Sequence, residues 1–371
     1  MSESGKIRSI ESLRGLAALY VALGHIVTMV DPERNAARTG SLPAWLAQVT
    51  HPMWYGHLAV AAFIVLSGFS LQLSLYLRNG DGQLKDLRRY LVRRCRRILP
   101  PYYACLAFSL LVCVLVTTKL PGLPFTQYLP LTAENVGAHL LLVHNFDPTW
   151  MYKVNGVLWS IAIEFQLYFA FPVLVWVLMR FGKLAVVTCT SVAAWLLILQ
   201  VPGGIKLYFW YAALFALGMV AARMAMDSRE EPPTHGVLML CAGALFGASV
   251  WFATSRKDLW VADAFIGLAV AAVLIAITRY RGSWSDRMLG ARPLVWLGSF
   301  SYSLYLMHHP LLQVGYFLRP EWAATPTRQT AWLLAWFPLV LLGCYGFYWV
   351  FERPFISSRR HTPSPEPITS A

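Results

Sequence analysis

The chain has 371 residues, of which 57% are hydrophobic and only 13% are charged, and its net charge is +13. Soluble globular proteins carry about a quarter of their residues as charges, so the composition excludes an ordinary soluble enzyme. In a membrane protein an excess of basic residues is typical of cytoplasmic loops, and the charge therefore does not indicate a nucleic-acid partner.

Apolar runs of about twenty residues recur along the whole chain and predict transmembrane helices. The alternating pattern of a membrane β-barrel is not seen. We therefore predict an all-α, polytopic transmembrane helix bundle with about ten membrane spans in the plasma membrane. The predicted spans are 11–30, 56–77, 98–118, 157–179, 184–201, 207–224, 235–253, 259–278, 293–317 and 330–351.

An even number of spans places both termini on the same side of the membrane. If that side is the cytoplasm, 22 of the 31 Lys and Arg residues lie inside and nine outside, which agrees with the positive-inside rule. We expect residues 1–356 to form one integral-membrane domain and the polar, proline-rich residues 357–371 to form a disordered cytoplasmic tail. The first apolar run lacks a small-residue cleavage site and is predicted to remain as a helix. The six cysteines show no metal-ligand spacing, so we expect buried thiols and no bound metal.

The first predicted span contains the stretch RGLAALYVALGH, which begins at Arg14 and ends at His25. Eleven residues of α-helix turn about 1100° and rise roughly 16 Å, so the two side chains share one face three turns apart. An ionisable residue at membrane depth needs a partner or a wet cavity, which makes His25 a functional candidate. A histidine that hydrogen-bonds a neighbouring helix and an arginine that anchors at the interface are the structural alternatives.

In the second span, FIVLSGFS places Ser67 and Gly68 where small residues favour close helix packing. Six arginines then occur within ten residues before the third span, in RRYLVRRCRRILPPYY. Arg94 and Arg97 lie three residues apart on one helical face, and paired guanidinium groups suit phosphate oxygens. The alternative is a charge block that sets topology or contacts anionic lipid.

The fourth span, GVLWSIAIEFQLYFAFP, carries Glu164 on the same face as Ser160. A carboxyl group at this depth could orient and charge-stabilise a histidine, bind a sugar hydroxyl, or hydrogen-bond a neighbouring helix in its protonated form. In the ninth span, SYSLYLMHHP ends with His308, His309 and a proline that can open the helix around a cavity.

Taken in order, these segments resemble the integral-membrane acyltransferase 3 family of O-acyltransferases, and the resemblance covers nearly the whole chain. Its arginine-x10-histidine motif falls on Arg14 and His25, and its tryptophan-serine-x3-glutamate pattern on 159–164. Its arginine pair before the third helix is similar to residues 94 and 97. The chain departs from the family at Ile64, where a second phenylalanine is frequent, and at His309, where tryptophan is common. The hydrolase-like C-terminal domain found in many members is not expected here.

The resemblance implies transfer of an acyl group, acetyl by family frequency, from acyl-CoA to a hydroxyl of a cell-surface or exported carbohydrate or lipid-linked glycan. Arg14, Arg94 and Arg97 would bind the donor phosphates. His25 would act as the base or carry the acyl group briefly, and Glu164 would orient it. Residues Trp159, Ser160 and His308 would bind the acceptor.

Two other functions remain open from the sequence. The acceptor could be a macrolide-type secondary metabolite, or the chain could be a transporter or flippase. Transport fits buried ionisable residues, although no repeated halves of the kind common in transporters are seen.

Overall fold

A computed structural model describes residues 8–32, 41–229, 233–256 and 258–356. Within these ranges all regular secondary structure is helical, which confirms the all-α prediction. The predicted tail at 357–371 lies outside the described residues. The α-helices are α1 (Arg8–Val30), α2 (Ala44–Thr50), α3 (Gly56–Asn79), α4 (Leu87–Leu115), α5 (Ala133–Leu140), α6 (Leu158–Phe181), α7 (Lys183–Gln200), α8 (Tyr211–Met226), α9 (His235–Trp251), α10 (Leu259–Arg279), α11 (Trp284–Leu289), α12 (Arg292–Ser299), α13 (Ser301–Phe317) and α14 (Pro326–Phe347).

Short 3-10 and π segments connect or extend several of these helices. The 3-10 segments are His51–Tyr55, Thr117–Lys119, Phe125–Tyr128, His144–Phe146, Gly204–Lys206, Glu321–Ala323 and Arg353–Phe355, and the π segments are Phe252–Arg256 and Tyr348–Glu352.

Within the described part of the chain, eight helical segments are long and apolar enough to cross a membrane. The chain is therefore a multi-pass membrane protein. Of the other two predicted spans, 207–224 falls on α8, which has 16 residues, and 293–317 falls on α12 and α13, which have eight and 17 residues. Each of the ten predicted segments thus coincides with helix, while the number of spans and the side of the termini stay predictions.

Glycines bring the helices that carry the candidate residues into backbone contact. A Cβ atom at Gly68 of α3 would lie 2.0 Å from the Phe215 carbonyl oxygen of α8, and one at Gly218 of α8 would lie 2.1 Å from the Val65 oxygen. At a second crossing, a Cβ at Gly298 of α12 would lie 2.2 Å from the Glu11 oxygen of α1. Small residues permit such close crossings, so the packing prediction for Gly68 is confirmed.

The connection between α4 and α6 folds back onto the bundle. The Tyr102 hydroxyl of α4 donates to the His139 carbonyl at 2.8 Å, and the imidazoles of His139 and His144 stack with ring centroids 3.8 Å apart. Burial holds the pKa of both imidazoles below the usual histidine value. Two neutral rings stack without charge repulsion, and together with the Tyr102 hydrogen bond they hold the connection against α4.

The six cysteines all fall in described ranges and are unpaired. Three of them, Cys105, Cys113 and Cys344, are buried as predicted. Cys189 of α7 and Cys241 of α9 are exposed, so the prediction of buried thiols is wrong for them. These two helices lie at the periphery of the bundle, with most of their apolar surface facing outward.

Candidate active site

Two cavities lie one after the other along α1. The one beside Arg14, near the start of α1, is here called the inner cavity, and the one beside His25 the outer cavity. The outer cavity has a volume of about 1360 Å³. Val60 of α3 and Tyr305 of α13 line both cavities. The two cavities therefore adjoin at these shared residues, between the arginine end and the histidine end of α1.

His25 lies at the outer cavity with its Nδ1 atom between two acceptors. This nitrogen is 2.9 Å from the Val21 carbonyl oxygen and 3.2 Å from Nε2 of His308. The Nδ1 atom of His308 is in turn 2.9 Å from the Leu304 carbonyl oxygen. Because carbonyl oxygens only accept, the hydrogen-bond network assigns the proton of each neutral ring to Nδ1. The Nε2 atom of His25 then carries a lone pair and can act as a base.

A third histidine completes the cluster. The ring centroid of His309 is 5.1 Å from that of His25, and its Nε2 atom is 3.0 Å from the Tyr128 hydroxyl. His25 and His308 thus contact each other through ring nitrogens, whereas Nε2 of His309 contacts Tyr128. Among the described residues, no group of three or more His, Cys, Asp and Glu side chains is arranged to hold a metal ion.

Arg14 and Arg97 meet at the inner cavity, where both line the wall. Their guanidinium groups come from α1 and α4, two helices far apart in sequence. Arg94 is not among the described residues that line this cavity. Its guanidinium carbon lies 5.8 Å from the ring centroids of both Tyr90 and Tyr168. The predicted phosphate-binding set is therefore two cavity arginines with a third held behind them by aromatic rings.

Glu164 also lies at the inner cavity, and not against His25. Its Oε1 atom accepts hydrogen bonds from the Ser67 hydroxyl and from the Tyr168 hydroxyl, the latter at 2.5 Å. The expectation that Glu164 orients His25 is thus not met, since α6 turns this face toward α3 and the arginines. Ser67, for which the sequence suggests helix packing, also donates its hydroxyl to this carboxyl group.

The three residues predicted to bind the acceptor separate into different places. Trp159 lines the outer cavity and stacks on Tyr208, with ring centroids 4.5 Å apart. Ser160 lines the inner cavity, and its Oγ is 2.6 Å from the Tyr305 hydroxyl at the boundary. His308 is fully buried behind His25. It therefore supports the ring of His25 and is not placed to bind the acceptor.

Several site residues escaped the sequence analysis. Tyr168 follows Glu164 by four residues, a helical spacing that indicates a shared face. Tyr305 precedes His308 by three residues and could have been found in the same way. No periodicity in the sequence pairs α1 with α13, so the contact between His25 and His308 required the tertiary structure.

No solved structure matches this chain. Three of its relatives are YrhL of Bacillus subtilis, 26% identical over 288 residues, the peptidoglycan O-acetyltransferase OatA of Listeria monocytogenes, 23% identical over 287 residues, and the O-acetyltransferase OatA of Staphylococcus aureus, 27% identical over 292 residues. Each alignment covers 69% of this chain and 44–46% of the relative, so the chain spans less than half the length of these proteins. A model of the acyltransferase domain family matches residues 7–351. Because the match covers nearly the whole chain, the chain belongs to this acyltransferase family of multi-pass plasma-membrane proteins.

Proposed function

We propose that the chain is a membrane O-acetyltransferase that moves an acetyl group from acetyl-CoA on the inner side to a carbohydrate hydroxyl on the outer side. One observation carries the proposal: an arginine-lined cavity and a histidine-bearing cavity meet at Val60 and Tyr305 along a single helix. Membership of an acyltransferase family favours transfer over transport.

The inner cavity suits the donor. Guanidinium groups bind phosphate oxygens in two-point contacts, and Arg14 and Arg97 reach the cavity from two helices. Glu164 offers the counter-charge that limits the cost of burying these cations within the membrane. Because Ser67 and Tyr168 hold one of its oxygens, the carboxylate stays in place beside the donor site.

The reaction needs a base at the boundary between the cavities. The Nε2 atom of His25 takes the proton of the acceptor hydroxyl, and the oxygen attacks the thioester carbonyl. The carbon–sulfur bond breaks, and coenzyme A leaves as a thiol with the proton returned by His25. The hydrogen bond to His308 holds the ring in the tautomer that leaves Nε2 free.

The outer cavity suits a carbohydrate. Aromatic rings stack on the apolar faces of sugars, and here Trp54, Tyr55, Tyr152, Trp159 and Tyr208 all line the wall. Relatives named as peptidoglycan O-acetyltransferases make a peptidoglycan glycan the first acceptor to test. A macrolide-type acceptor is the alternative acceptor for the same chemistry.

The test uses the full chain in lipid nanodiscs with acetyl-CoA and a soluble peptidoglycan tetrasaccharide. We expect coenzyme A release that depends on the sugar and an O-acetyl ester on the sugar, detected by mass spectrometry. Thiol release and ester formation should be equal in amount. Absence of ester from a folded protein that binds acetyl-CoA would overturn this acceptor class.

The arginine pair gives a prediction for donor affinity. In Arg14→Ala/Arg97→Ala we expect acetyl-CoA to bind about 100-fold more weakly, because two charge-assisted contacts of about 1.5 kcal/mol each are lost. Isothermal titration calorimetry in detergent measures this. Arg96→Ala removes an exposed arginine of the same helix and should leave the affinity unchanged. Equal affinity of the double variant and the wild type would contradict the donor role.

The support of His25 by His308 gives a second prediction. In His308→Ala we expect kcat to fall about tenfold, the effect of losing one hydrogen bond. The Nδ1 proton of His25 keeps the Val21 carbonyl as acceptor but loses its side-chain acceptor, so the ring is less firmly oriented. The KM for acetyl-CoA should not change. A glutamine at this position can accept the same hydrogen bond, so His308→Gln should recover most of the rate. Failure of the glutamine to rescue, with the fold intact, would contradict the role of His308 in orienting the ring of His25.

A further inference from the structure

A buried carboxyl group outside the site described above has a free oxygen. Asp263 of α10 is fully buried, and its Oδ2 atom accepts a hydrogen bond from the Trp210 indole at 3.0 Å. Its Oδ1 atom has no hydrogen-bond partner among the described residues. A carboxyl group at this depth is costly unless it has a partner or a function. Nothing in the acetyl-transfer steps uses it.

The side chain nearest that free oxygen is His57. Its Nε2 atom lies 3.8 Å from Oδ1 of Asp263 and is likewise buried without a hydrogen-bond partner in the described structure. A movement of roughly 1 Å would give a direct hydrogen bond. Two orphaned polar atoms that face each other across this distance form a histidine–carboxylate pair, in which the carboxylate orients the ring.

His57 connects this pair to the outer cavity. It is the second residue of α3, its side chain is 15% exposed, and it lines the outer cavity together with His25. Because Nε2 faces Asp263 and is buried, Nδ1 is the ring nitrogen left for a ligand in the cavity. A proton held on Nε2 by the carboxylate leaves a lone pair on Nδ1. The cavity therefore meets a hydrogen-bond acceptor at this point of its wall.

The surroundings link the pair to the wall on which a sugar would stack. The ring centroid of Tyr208 lies 5.2 Å from that of Trp210, the donor to Asp263, and the ring also stacks on that of Trp159. The helices α3, α8 and α10 pack against one another, so the pair has a rigid support. Its position is fixed relative to the aromatic wall.

We propose that His57, oriented by Asp263, is an acceptor-positioning residue whose Nδ1 atom accepts a hydrogen bond from a second, non-reacting hydroxyl of the carbohydrate in the outer cavity. The inference rests on the proposed function. His25 and not His57 is the base, because the outer cavity meets the inner cavity along α1. The ligand class that this pair fits is a sugar with a free hydroxyl group near the one that is acylated.

The test measures the KM for the tetrasaccharide, the KM for acetyl-CoA and direct binding of the tetrasaccharide. In His57→Ala we expect the sugar KM to rise about tenfold, the loss of one hydrogen bond, with the acetyl-CoA KM unchanged. Asp263→Asn should raise the sugar KM similarly, because an amide can donate to Nε2 and move the ring proton to Nδ1. His57→Gln, which can donate to Asp263 and accept from the sugar, should stay within about threefold of the wild type.

His235→Ala is the matched control, since this histidine contacts Ser285 away from the cavity, and its sugar KM should equal that of the wild type. An unchanged sugar KM in folded His57→Ala would overturn the proposal, as would equal losses for sugar and donor. If the wild type binds the sugar but does not transfer acetyl, the proposed function fails while weaker binding by His57→Ala still supports this site. If the wild type neither binds nor acetylates the sugar, both proposals are overturned.

Discussion

His25→Ala is expected to lower kcat for acetyl transfer about 1000-fold and to leave the affinity for acetyl-CoA unchanged. General-base catalysis contributes about 10² to 10⁴ in rate, and His25 lines the outer cavity and has a nitrogen with a free lone pair. The donor phosphates would lie at Arg14, roughly 16 Å away along α1. His25→Ala should therefore lose the rate of acetyl transfer while it keeps the affinity for acetyl-CoA.

The measurement is steady-state ester formation at saturating donor and acceptor, with calorimetry for acetyl-CoA. The control is His235→Ala, which changes a histidine outside the site. Rapid-quench mass spectrometry of the wild type adds a second readout: a base leaves the protein unmodified, while a covalent carrier accumulates acetyl on His25. Transfer by folded His25→Ala at more than a tenth of the wild-type rate would exclude both roles.

The helices could be predicted from the sequence because the length of an apolar run and its helical propensity are properties of neighbouring residues. Each predicted span coincides with a helix, but the single span predicted at 293–317 is two helices, α12 and α13. The chain breaks at Phe300, whose φ of −121° and ψ of 21° leave the helical region. Phe300 is fully buried. Because its side chain is apolar, a hydropathy profile does not indicate that the helix breaks here.

Only those features of the site that follow from helical periodicity could be predicted from the sequence. The spacing of Arg14 and His25 predicts a common face, and the structure places both beside consecutive cavities. Periodicity does not say which helix faces Glu164. Its partner on another helix is Ser67, 97 residues away in the chain. His57 and Asp263 likewise belong to α3 and α10, and only the packed bundle brings them together.

The crossing of α3 and α8 is expected to be the most sensitive point of the fold. This crossing also positions a residue of the site, because Ser67, which donates to Glu164, directly precedes Gly68. In Gly68→Ala the new Cβ would meet the Phe215 carbonyl oxygen at 2.0 Å. This neighbour is backbone and cannot move without displacing α8. We expect a loss of about 3 kcal/mol in the free energy of unfolding.

Gly243→Ala is the matched control for this substitution. Gly243 also lies within an apolar helix, α9, but an added Cβ meets no atom within 4 Å. There the lower conformational entropy of alanine in the unfolded chain should stabilise the protein by about 0.5 kcal/mol. Thermal unfolding in detergent and the folded fraction after denaturant titration measure both variants. The two substitutions add the same methyl group, so opposite signs would show that backbone contact at the crossing decides the outcome. A Gly68→Ala protein as stable as Gly243→Ala would mean that α3 and α8 do not cross at this distance.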